Sequence, residues 1–158
     1  MGKKRKDDFD RIWEFARGTV GFKGDIFVDE DGDGFGEDGD HLDHYDHRKG
    51  AVYLSRRWEN GRLKARHDYL YHFLHELAHA RQHMRMAYAP LWKRSPSKTE
   101  LKRLSLRMER DAARQAVRWA RQLGVNVGHW FEDVAKGGDA VYPKGYLYLT
   151  LGIAKKGR

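Results

Sequence analysis

The run YLYHFLHELAHARQHMRM, residues 69–86, contains the pentapeptide HELAH at 75–79, and the fold turns on how this run is read. At about 100° per residue, Leu70, Phe73, Leu74, Leu77 and Met84 gather on one side of a helix, and Asp68, His72, His75, His79 and His83 on the other. The spacing predicts a helix from about Leu63 to Met86, its apolar back on a core and its histidine-lined front facing a cleft. Positions i and i+4 lie one turn apart on one face, so His75 and His79 can aim ring nitrogens at one ion. Glu76, at the edge of that face, is placed to take a proton from a metal-activated water without ligating the metal. The plain alternative is a polar helix face carrying solvated histidines.

A catalytic zinc takes three protein ligands and keeps one position open. A histidine six residues beyond His79 is absent, because position 85 is Arg. His83 lies on the same helix, about 12 Å along it from His75, too far to share one ion with both histidines. The third ligand is better sought on the second long helical segment, TELKRLSLRMERDAARQAVRWARQL, residues 99–123. Leu101, Leu104, Met108, Ala112, Ala116 and Leu123 form its apolar side. Glu100 and Asp111 fall outside that side, whereas Glu109 falls within it. An inward carboxylate is costly unless it is paired or metal-bound. A salt bridge to a buried Arg or His is the competing explanation for Glu109.

HELAHARQH followed by ERDAARQA resembles the gluzincin-type site of the ImmA/IrrE-like zinc metallopeptidases. There an H-E-x-x-H helix pairs with a later helix bearing E-x-x-A-N-x-x-A. Glu109, Ala112 and Ala116 match the Glu and the two Ala positions, and Ala113 stands where the family carries Asn. GAVYLSRRW, residues 50–58, resembles the family's substrate-edge strand. The similarity covers about residues 50–120. It implies His75, His79 and Glu109 as zinc ligands and Glu76 as general base. It leaves Asp68 or Asp111 to replace the missing Asn in orienting an imidazole.

The rest of the chain sets the context. Its 158 residues suit a single domain, with a basic tail at 1–6 and an acidic loop at 29–47. A short helix is expected over 8–17, strand-like sequence over 19–29, a strand over 50–58, a helical turn near 130–135 and a hairpin around 143–145. No cysteine is present, no apolar run is long enough to span a bilayer, and no apolar segment follows the basic start. These features point to a cytoplasmic protein.

DEDGDGFGEDGD, residues 29–40, puts Asp29, Asp31 and Asp33 at positions 1, 3 and 5 of a calcium loop, Gly34 at 6 and Asp40 at 12. Ca2+ at this loop competes with a solvated acidic loop. DHLDHYDH, residues 40–47, reads as flexible polar chain that could bind a second metal or lie over the cleft. The net charge of +8 raises the prospect of an anionic partner. Arg103, Arg107, Arg110, Arg114, Arg118 and Arg121 make a stripe that could track DNA or RNA, although most such stripes are ordinary solvated faces.

The sequence therefore predicts an α+β, small zincin-like domain, with a short sheet beside an HExxH helix and a second long helix. The expected function is Zn2+-dependent hydrolysis of a protein or peptide substrate. The rival is a basic nucleic-acid-binding protein with a structural metal site or none. Candidate oxyanion donors are His129, Tyr142 and Tyr146, with no basis for choosing among them.

Overall fold

The computed structural model describes residues 6–29, 34–35, 42–86 and 97–136. The described chain is α+β: four helices and one three-stranded mixed sheet. Helix α1, Asp8–Phe15, begins where the Asp7 side chain accepts the Phe9 N–H, with Asp8 and Asp10 in its first turn. Both devices favour a helix N-terminus. It continues as one wide turn, Ala16–Val20, to Gly21, whose φ of 76° suits glycine. Part of the segment expected to be strand-like is thus helical, and strand β1 is only Ile26–Asp29.

Strand β2, His44–Asp46, lies inside the stretch expected to be a loop. One buried side chain, Tyr45, secures it, and so short a strand carries too little alternation to stand out among Asp and His. Strand β3, Ala51–Ser55, is central, parallel to β1 and antiparallel to β2. A buried polar knot ties the sheet to the chain around it. Lys64 donates to Asp43 and to the Ser55 carbonyl, Asp43 accepts the Ser55 N–H, and the Ser55 hydroxyl donates to Asp29. Burial pushes the Asp43 carboxyl up to about 6 despite the Lys64 charge beside it.

Helix α2, Arg66–Met84, is buried at every residue from Asp68 to Ala80. The expected cleft-facing front is therefore covered. Sheet strand β3 packs against this helix, and the helix α3, Lys98–Leu123, packs most extensively of all. Ala112, Ala113 and Ala116 are buried on α3, and their small side chains allow close approach. Met84, expected on the apolar back, is 47% exposed because it lies in the last turn, past the buried segment. Ser97 caps α3 by accepting the Glu100 N–H, and Gly124 ends it at φ 66°.

Helix α4, Trp130–Ala135, folds back against α3. The hairpin expected around 143–145 lies outside the described residues, as do Tyr142, Tyr146, Asp31, Asp33 and Asp40. No helix among the described residues is long and apolar enough to cross a membrane.

Candidate metal centre

Two helices bring three donor atoms together. His75 Nε2 lies 2.8 Å from Glu109 Oε2, His79 Nε2 lies 3.1 Å from the same oxygen, and the two imidazole nitrogens are 3.1 Å apart. All three side chains are buried. On a tetrahedral zinc, N and O ligands at about 2.0–2.1 Å stand roughly 3.3–3.4 Å from one another, so the three atoms would have to spread by roughly 0.2–0.6 Å.

Is a cation needed there? The second carboxylate oxygen, Glu109 Oε1, is buried with no hydrogen-bond partner among the described residues. A buried acceptor left so is costly. Two nitrogens and an oxygen, converging beside an unsatisfied anionic oxygen, suit a divalent transition ion. The donor set fits zinc.

Each imidazole has a partner on its far side. His79 Nδ1 faces the Gln82 carbonyl oxygen at 2.9 Å, and that amide is itself fixed by donating to the Met108 carbonyl at 2.9 Å. An acceptor at Nδ1 makes Nδ1 the proton-bearing nitrogen and turns Nε2 toward the cluster. His75 Nδ1 meets the Tyr71 hydroxyl at 3.2 Å. Tyr71 in turn stacks on Trp130, with ring centroids 4.0 Å apart and planes within 3°.

Neither Tyr71 nor Gln82 was singled out from the sequence. Their spacing, four before His75 and three after His79, was a usable signal, because such positions are neighbours on a helix. Asp68, one of the two expected replacements for the missing Asn, instead accepts the Trp130 indole N–H. Asp111 is exposed, and Ala113 offers only a buried methyl.

Burial pulls the His79 imidazole down, but the charge and hydrogen bond of Glu109, with Glu76 and Gln82, outweigh it and raise its pKa to about 9. Burial likewise opposes the Glu109 charge, yet His79 and His75 hold its carboxyl well below the usual range. Without an ion, the cluster is a buried imidazolium–carboxylate pair with a second imidazole beside it. Glu76, 1% exposed, is close enough to act on His79 electrostatically.

His83 is not part of this cluster: its Nδ1 meets the Tyr45 hydroxyl at 2.7 Å. His72 is buried among Trp58, Tyr71 and Trp130, and burial drives its pKa well down. Asp29, the first calcium-loop position, already accepts from Ser55 and from the Gly34 N–H. The six arginines of the stripe are all exposed. Two grooves run along that face, one lined by Arg103, Arg107, Arg110 and Arg114, the other by Arg114, Arg118, Arg121 and Phe131.

No family model, curated protein or solved structure matches the chain.

Removing the orienting groups should weaken zinc without removing a ligand. Gln82→Ala is expected to lower zinc affinity about 10–100-fold, measured by competition with a chromophoric chelator. An unchanged affinity would show that Gln82 does not set the His79 tautomer.

Proposed function

We propose that the chain is a zinc-dependent metallopeptidase of the ImmA/IrrE-like kind, acting on a protein or peptide substrate. The observation that carries this is the convergence of His75 Nε2, His79 Nε2 and Glu109 Oε2, with Glu76 buried next to His75 on the same helix. Bound zinc would supply Lewis acidity, lowering the pKa of a water and polarising the scissile carbonyl. His75, His79 and Glu109 would hold the ion. Tyr71 and Gln82 fix the two rings. Glu76 accepts the proton of the attacking water and passes it to the leaving amine. With His75, Glu76, His79 and Glu109 each at most 3% exposed, a polypeptide reaches the site only after the surrounding chain opens.

The test is zinc content after reconstitution, followed by hydrolysis of a denatured protein such as casein. One zinc held by His75, His79 and Glu109 with chelator-sensitive cleavage supports the reading. Absence of cleavage by the fully loaded protein overturns it.

The same burial favours a second reading, because structural zinc sites are closed and catalytic ones keep an open position. In that reading the arginine face is the working surface and binds nucleic acid. Affinity for DNA or RNA should then fall steeply with salt, and Arg114→Ala with Arg118→Ala should reduce the salt slope by about 1–2. Binding insensitive to both would dispose of it.

A pH signature separates either zinc-bound state from the metal-free one. The His79 pKa is raised on folding, from 6.5 to about 9. Its contribution to stability is fully present below about pH 6.5 and is lost as pH rises through about 9. Zinc must displace that proton, so zinc affinity should rise about tenfold per pH unit between these limits. Titration calorimetry in buffers of different ionisation enthalpy should find about one proton released per zinc at pH 7.5. Zero release would contradict a protonated His79 in the ligand set.

A further inference from the structure

A second group of donors meets where α4 returns to the start of α2. Asp68, on the first turn of α2, is buried, and its Oδ1 lies 3.0 Å from His129 Nε2 and 3.5 Å from His67 Nε2. The same oxygen accepts the Trp130 indole N–H at 2.8 Å. Three nitrogens thus crowd one carboxylate oxygen, which offers two lone pairs. The rings of His67 and His129 meet edge to face, their centroids 5.4 Å apart.

The far side of His129 is also occupied. Its Nδ1 faces Asp133 Oδ2 at 2.6 Å. This carboxylate–histidine arrangement fixes Nδ1 as the donor and turns Nε2 inward, as in the outer shells of metal sites. The His67 ring lies close against Gly128. A Cβ built on Gly128, where φ is 59°, would come within 2.8 Å of two atoms of the His67 ring. Only glycine lets the ring lie there.

We propose that His67, Asp68 and His129 form a second, solvent-open site for a divalent transition metal, with Asp133 orienting His129. Two imidazole nitrogens and one carboxylate oxygen suit Zn2+, Co2+ or Ni2+ rather than Ca2+ or Mg2+. The His67 and His129 side chains are 37% and 50% exposed, so this site keeps positions open to water and exchanges its ion freely. It stands about 11 Å along α2 from His75, too far for the pair to act as a two-metal centre, which needs about 3.5–4 Å. An ion here would clamp α4 to α2. Trp130, bonded to Asp68 and stacked on Tyr71, would carry that clamp toward the ring that backs His75.

The experiment is equilibrium dialysis of the full chain against micromolar zinc at pH 7.5, with metal counted per chain. The parent should hold two equivalents. His67→Ala and His129→Ala should each hold one, with the parent's circular dichroism. Asp133→Asn and Gly128→Ala keep every ligand and should weaken the second equivalent at least tenfold. His79→Ala should lose the other equivalent and retain this one, which separates failure here from failure at the buried cluster. A parent that binds no zinc beyond what His79→Ala removes overturns the proposal. So does a second equivalent that survives in His129→Ala, since it would belong elsewhere on the chain.

Discussion

Glu76→Gln is expected to reduce peptide-bond hydrolysis by about 10²–10⁴-fold while zinc stays bound. Gln has the shape of Glu and the same reach but cannot accept the proton that the attacking water must lose. Nothing in the ligand set changes, because His75, His79 and Glu109 supply the three converging atoms without it. The fold should survive, since a neutral amide in a site 1% exposed is easier to bury than a carboxylate. The substitution also removes one of the charges that raise the His79 pKa, so zinc should meet less competition from protons at neutral pH. The measurements are zinc per chain and initial rates on an unfolded protein substrate. A variant that keeps both its zinc and the parent's rate would end the peptidase reading and leave a structural ion. That outcome would favour the arginine face as the working surface.

How much of this was legible before the structure? The histidine pair and Glu109 were, because the i, i+4 spacing puts both histidines on one face of a helix and periodicity puts Glu109 on the apolar side of the other. The structure then brings those faces together. The end of α3 was equally plain, since Gly124 is the residue type that tolerates the left-handed turn found there. The covered histidine face was not. A helical wheel sorts polar from apolar, and polar residues are ordinarily read as solvated; here α3 packs against α2 and Glu109 meets the two histidines. Strand β2 escaped because Tyr45 alone carries its burial. Tyr71 and Gln82 escaped for another reason. An aromatic and an amide on a long buried helix look like core and surface until a ring nitrogen is found against each. The second cluster combines neighbours in sequence, His67 and Asp68, with His129 some sixty residues on, and only the return of α4 joins them.

Glu109→Ala should abolish tight zinc binding and destabilise the metal-free protein by about 3–5 kcal/mol, the cost of breaking a buried ion pair by removing one partner. The two effects have separate origins. Without the carboxylate, the largest influence raising the His79 pKa is gone, so that pKa should fall and favour two neutral imidazoles 3.1 Å apart. Zinc then has two nitrogen ligands where it had three donors. In the parent, zinc at about a thousand times its Kd adds roughly 4 kcal/mol of stability through mass action. Thermal or urea unfolding with zinc and with chelator therefore gives a four-way comparison. The parent should gain strongly from zinc and the variant much less, keeping only what the second site supplies, while the chelated variant should already unfold more readily than the chelated parent. Loss of stability with an undiminished zinc gain would make Glu109 a structural acid rather than a ligand. Glu109→Gln sharpens the distinction. It preserves volume and a carbonyl oxygen but no charge, so it should recover part of the packing and little of the zinc response.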